Sequence, residues 1–245
     1  MKIRDIYDYL NELSPFELQE KWDNSGLLVG NPNDEFHKVY ISLDLDLEMV
    51  KDVEEGSLII THHPLIFSPL KKINDISYSE KILKQLIKKD IALISLHTNI
   101  DKTHLNSYVG NQILGLKFEQ NDEFIQVAKV DMSFNQLQHL VKEKLELEVL
   151  KIVDGAQEIK SVALTTGSGM SLLPNIEADC FLTGDIKYHE AMEASARDIS
   201  LIDIGHYESE IHFAPLLEGL IRDYLKKNQI TAIISASQNP FKYKY

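Results

Sequence analysis

Four segments of the 245-residue chain end an apolar run in side chains that bind metal or move protons. The first is Leu58-Ile59-Ile60-Thr61-His62-His63-Pro64. Neighbouring residues on a strand face opposite ways, so the two imidazoles can converge only if the chain bends there. Pro64 favours a bend, because it holds His63 extended and ends regular pairing. The second is Ile94-Ser95-Leu96-His97-Thr98-Asn99-Ile100-Asp101. Asp101 offers a hard anionic oxygen, or else caps a helix. His97 can be a ligand, support a ligand or carry a proton. In the third, Ile204-Gly205-His206-Tyr207-Glu208-Ser209-Glu210, the His and Glu four apart share one face if the chain turns helical. The fourth, Thr183-Gly184-Asp185-Ile186-Lys187-Tyr188-His189, sets a cation, a phenol and an imidazole at a strand–helix turn. Such groups hold an anion or move protons, with Asp185 the expected cap of the helix. Thr165-Thr166-Gly167-Ser168-Gly169 also follows a strand, and its amides are a weaker candidate cradle for an anion.

Each segment alone has a plain alternative: loop histidines, a chance His/Glu pair, a capped surface helix. Their combination is harder to dismiss, since most other strand ends carry no such groups. Three imidazoles and two carboxylates are enough donors for two ions if one carboxylate bridges. With one cysteine in the chain, Cys180, a disulfide framework and a multi-thiolate zinc site are both excluded. Imidazole and carboxylate donors suit zinc, iron, manganese or nickel.

The elements that must position these groups alternate between the two periodicities. Strands are expected at Val39–Asp44, Ser57–Thr61, Ile91–Leu96, Phe124–Val130, Glu148–Val153, Ser161–Thr166, Asp179–Thr183, Leu201–Ile204 and Ile230–Ser235. Helices are expected at Ile3–Leu13, Ser79–Lys89, Phe134–Leu145 and Ile211–Lys227, and a further helix start at Ser14-Pro15. Trp22-Asp23-Asn24-Ser25-Gly26 reads as a polar turn into Leu27–Val29. This alternation is α/β, and in open α/β sheets functional groups collect past the carboxyl ends of strands. A break in rhythm near Gly110–Asp122 separates two tightly joined α/β lobes, the first spanning 1–100 plus 220–245 and the second 101–219. The last strand is expected to return to the first lobe's sheet.

A hydrophobic fraction of 44% and a charged fraction of 26% are those of a globular protein. No apolar run of roughly 18 residues is present, so no membrane helix is expected. The N-terminus lacks the apolar core of a signal peptide, so a cytoplasmic location is expected. A net charge of −13 repels phosphate backbones and opposes nucleic-acid binding. Lys71, Lys72, Lys81, Lys84, Lys88 and Lys89 read as a solvated helix face rather than a binding patch.

Trp22–Gly30, His62–Phe67, His97–Asp101, Gly184–His189 and Gly205–Glu210, in this order, resemble the NIF-like family, whose members are labelled GTP cyclohydrolase 1 type 2 homologues. The resemblance spans essentially the whole chain. It implies a dinuclear metal site in the cleft between two α/β lobes, with ligands His62, His63, Asp101, His206 and Glu210 and Glu210 as the bridge. It also implies a homohexamer, and the chain resembles the compact form that lacks an inserted domain. Ser25 stands where valine is frequent and Asp44-Leu45-Asp46 is an altered strand end, neither being expected to touch the ligands. Two such ions would make hydroxide from a bound water, so a metal-dependent hydrolase of a small anionic molecule is expected, with His97 or His189 as the proton carrier and Lys187 and Tyr188 positioning the anion. The alternative is a non-catalytic, hexameric metal-binding protein that stores or delivers metal or serves as a partner platform.

Overall fold

The computed structural model describes residues 1–120, 123–235 and 237–244. The last two residues of the break expected at Gly110–Asp122, and residues 236 and 245 of the terminal segment, lie outside them. The chain divides into two compact units, Met1–Ile100 with Phe213–Gln238 and Asp101–His212 with Asn239–Tyr245.

Unit 1 holds a five-stranded sheet. Its strands are β1 (Gly26–Val29), β2 (Lys38–Ser42), β3 (Leu58–Thr61), β4 (Ala92–Ser95) and β11 (Thr231–Ile234), in the order β1-β4-β3-β2-β11. Only β1 runs antiparallel, against β4; the other pairings are parallel. The central strands β3 and β4 are buried at every position, which explains why they read as continuous apolar runs and not as alternating ones. On one face, the helix Tyr78–Lys88 packs Ile82, Leu83 and Leu86 into a cluster with Tyr40, Ile59 and Leu93. That helix starts where Ser77 and Glu80 form a reciprocal capping box. Lys89 donates to the carbonyls of Val50, Lys51 and Val53, closing the end of the helix Leu47–Asp52. Part of the lysine-rich segment is thus committed to structure, and Lys84 pairs with Asp75. The helix start expected at Ser14-Pro15 is a single 3-10 turn, Phe16–Leu18, without a side-chain cap. Asn11 Oδ1 takes the Phe16 amide that a serine cap would have competed for.

Unit 2 holds a six-stranded mixed sheet. Its strands are β5 (Phe118–Gln120), β6 (Gln126–Ser133), β7 (Lys151–Val153), β8 (Glu158–Leu164), β9 (Cys180–Thr183) and β10 (Ser200–Asp203), in the order β5-β6-β8-β9-β10-β7. The β8, β9 and β10 strands are parallel neighbours, so their carboxyl ends share one edge. Ala163, Phe181 and Leu201, one from each, face a cluster with Met170, Leu173, Ile186, Ala194 and Ile199. The unit opens on π-helical turns, Asp101–Leu105 and Val109–Ile113, flanking Asn106–Tyr108. Asp101 is therefore inside a helical run, not a cap. The short strand β5 falls within the expected break, where three residues carry too little pattern to be read.

Candidate metal centre

In unit 1, three parallel strands deliver the chemistry at their carboxyl ends. The amides of His62 and His63 both donate to Leu43 O, each at 3.2 Å. Two successive amides reaching one carbonyl make the bend that strand alternation forbids, and Thr61 Oγ1 ties it by donating to His63 O at 2.9 Å. The two rings stand 4.9 Å apart between centroids. His97, one strand over, brings its ring to 5.1 Å from His62 and 5.5 Å from His63. One donor atom from each of the three lies within 4.8 Å of the others.

In unit 2 the ends of β8, β9 and β10 meet around glycine. A Cβ on Gly184 would lie 2.8 Å from Gly167 O, Gly205 C and His206 N, so three turns pack against a position open only to glycine. Gly205, at φ +73°, leads into the helix His206–Glu210. The i,i+4 spacing sets His206 Nε2 3.0 Å from Glu210 Oε2. Donor oxygens of Asp101 and Glu210 lie within 4.8 Å of one another, and Glu210 is buried.

All four imidazoles are anchored the same way. His62 Nδ1 donates to Leu96 O at 2.9 Å, His63 Nδ1 to Asp44 Oδ1 at 2.9 Å, His97 Nδ1 to Asp23 Oδ1 at 2.8 Å and His206 Nδ1 to Asp185 Oδ2 at 2.7 Å. Carbonyl and carboxylate oxygens only accept, so Nδ1 carries the proton and Nε2 presents a lone pair. That is the setting in which histidine coordinates metal. At His206 the lone pair faces a carboxylate oxygen, an approach compatible only with a proton or a cation between them. The donor set fits a divalent ion: imidazole and carboxylate, without thiolate, with Cys180 buried in β9.

Three carboxylates behind the histidines change the reading of the sequence. Asp44 was expected not to touch the ligand set; it anchors His63, because β2 ends beside β3 in the parallel register. Asp185 was expected to cap the helix Tyr188–Ala196; with φ at +55° it turns to His206 instead, and the helix starts from Lys187. Asp23 comes from the turn before β1. Burial by itself would raise its pKa, but hydrogen bonds from His97, Thr98 and the Asn24 amide outweigh this and hold it well below the usual carboxylate range. Periodicity carries no signal for such partners, since they join turns far apart in sequence.

The expected anion cradle at Thr165–Gly169 is spent on structure. The amides of Thr166, Gly167 and Gly169 donate to Asn106 Oδ1, Ser209 Oγ and Thr183 Oγ1. Lys187, Tyr188 and His189 sit exposed at the helix start, Lys187 N donating to Glu190 Oε2 and Tyr188 being 75% exposed. His189 lines an open groove with Met170, Leu173, Pro174 and Arg197. Among the described residues, no metal-competent grouping includes His189.

The Duf34/NIF3 (NGG1p interacting factor 3) family model matches residues 1–240. A Campylobacter jejuni protein named GTP cyclohydrolase 1 type 2 homolog is 48% identical over 99% of this chain and 100% of its own length. A Helicobacter pylori protein named GTP cyclohydrolase 1 type 2 is 42% identical over 91% of this chain and 92% of its own. The crystal structure of Staphylococcus aureus protein SA1388 is similar with a TM-score of 0.88 and 28% identity, over 100% of this chain and 99% of that one. No helix among the described residues is long and apolar enough to cross a membrane. With fold, motifs and full-length relatives in agreement, the chain belongs to the Duf34/NIF3 family.

Proposed function

We propose that the protein is a metal-dependent hydrolase of a small anionic molecule, holding two divalent ions through His62, His63, Asp101, His206 and Glu210, with Glu210 shared. The observation that carries this reading is the common setting of the imidazoles, each giving Nδ1 to an oxygen, which makes Nε2 the nitrogen able to meet an ion. When bound, such ions supply Lewis acidity and lower the pKa of a water, which is the usual source of a nucleophile at neutral pH. Two carboxylates offset only part of the ions' charge, so the centre stays positive and favours an anionic substrate. His97 is the first candidate proton carrier, anchored beside His62 and His63. His189, Lys187 and Tyr188 form a second candidate group for proton transfer and anion positioning. The name of the Helicobacter pylori relative makes hydrolytic opening of GTP the first reaction to try. A homohexamer is part of the same proposal, and sedimentation velocity tests it.

A second reading, a non-catalytic metal-binding protein, draws on the exposure of Lys187, Tyr188 and His189 and on His189 belonging, among the described residues, to no metal-competent grouping. It keeps the ligands and drops the proton carriers.

Elemental analysis of untagged protein tests the common ground. Wild type is expected to carry about two metal ions per chain, and Glu210→Ala far less. Near-zero metal in wild type, with no uptake of Zn²⁺ or Mn²⁺, would overturn both readings. Turnover of GTP or a phosphoester by the loaded protein, lost in His97→Gln with its metals retained, separates the enzyme from the metal handler.

A further inference from the structure

Among the three histidines anchored by a carboxylate, His97 has a more enclosed partner than His63 and His206. Asp44 and Asp185, behind His63 and His206, have side chains 43% and 53% exposed. Asp23, behind His97, is fully enclosed at 0%. Five hydrogen bonds converge on its two oxygens. Oδ1 accepts from His97 Nδ1 and the Asn24 amide, and Oδ2 from Ser25 Oγ, the Thr98 amide and Thr98 Oγ1. Ser25 Oγ and Asn99 Oδ1 in turn accept from the His97 amide, each at 3.1 Å. Trp22 and Phe67 stand edge-on to the imidazole at 6.2 and 6.3 Å between centroids, and both rings are otherwise exposed.

This is more holding than a ligand needs. A metal orients its own ligands once bound, and one outer acceptor is enough to fix the tautomer. A histidine that must meet a passing substrate has no such help and depends on a rigid frame. We infer that Asp23 is a positioning residue that locks His97 with Nε2 as hydrogen-bond acceptor for a substrate N–H or O–H, so that His97 faces the substrate and is not a metal ligand. The inference rests on the reading that His62 and His63 are ligands. It adds a partner for His97 and a requirement on the substrate, which must present a donor beside the Trp22 and Phe67 rings.

The test is nitrogen-15 spectroscopy of labelled histidine rings, with metal content measured on the same samples. Wild type should show His97 as the Nδ1–H tautomer. On adding zinc, the Nε2 signals of His62, His63 and His206 should shift on coordination and that of His97 should not. In Asp23→Asn the three donors at Oδ2 recruit the amide oxygen, which turns the NH₂ toward His97 Nδ1 and drives the ring to the Nε2–H tautomer. Metal content should stay at the wild-type value in Asp23→Asn and in His97→Gln. A zinc-dependent shift of His97 Nε2, or loss of a metal in His97→Gln, would make His97 a ligand and overturn the inference. So would an unchanged tautomer in folded Asp23→Asn. If that variant does not fold, zinc addition to wild type and the His97→Gln metal content still decide. Wild type that takes up no zinc fails the metal reading instead, while the tautomer comparison still tests Asp23 in the metal-free protein.

Discussion

Gly167 lies directly against Glu210: a Cβ at Gly167 would come 2.1 Å from Oε1 and 3.0 Å from the carboxyl carbon. The backbone there has φ +61°, so a side chain is both strained and obstructed. Gly167→Ala is therefore expected to cost about 1–3 kcal/mol in urea unfolding and to displace the Glu210 carboxylate. Gly115 separates the two effects, having φ +70° with nothing within 4 Å of its Cβ position. Gly115→Ala should lose stability alone, whereas Gly167→Ala should lose stability and bound metal. Equal metal content in the two variants would mean that the Glu210 position does not matter for binding.

Asp44 and Asp185 each accept one hydrogen bond from a proposed ligand histidine. Removing such an acceptor frees the ring and the tautomer without removing a donor atom. Asp44→Ala and Asp185→Ala should each weaken metal binding by about 10- to 100-fold, with the number of ions at saturation unchanged. Competition with a chelator of known affinity measures this. Affinities equal to wild type would show that the anchors are incidental.

The strand ends carrying histidine were legible because buried parallel strands read as apolar runs, and an imidazole closing such a run stands out. The bend at His62-His63 was legible only as a requirement. The Leu43 carbonyl that makes it lies just past the end of β2, and no local pattern could name it. Asp185 shows the opposite failure. A local rule, aspartate before a helix, pointed to a cap, and His206, at the start of the helix that follows the neighbouring strand β10, took the side chain instead. Asp23 sat in a segment read as a polar turn and as part of the motif Trp22–Gly30, with no role of its own, and its burial follows from β1 pairing with β4, which brings that turn to His97. The strand β5 was missed for want of length, and the capping box at Ser77 and Glu80 marked a helix start within two residues of the expected one.

Cys180 is buried at the start of β9, where burial first and the charge of Asp179 second push its thiol well above the ordinary range. The thiolate is the reactive form, so the native protein should give no reaction with Ellman's reagent near neutral pH. One thiol per chain should appear in guanidinium, matching the single cysteine. A thiol that reacts in the native protein at the rate of free cysteine would show that β9 opens far more readily than its burial allows.

Asp23 sets a pH dependence whose sign can be worked out. Its folded pKa is depressed because hydrogen bonds from His97, Thr98 and Asn24 favour the charged form more than burial opposes it. The unfolded chain releases it at about 3.9, the ordinary aspartate value. Its contribution is thus present above the unfolded pKa and is lost as pH falls through the folded one. Other carboxylates titrate over the same range, but they do so equally in Asp23→Asn and cancel in the difference. The gap in urea midpoint between wild type and Asp23→Asn should be widest near neutral pH and should narrow on acidification below about pH 4. A gap that held constant down to pH 3 would mean that the five hydrogen bonds stabilise the shape of the turn and not the charge at its centre.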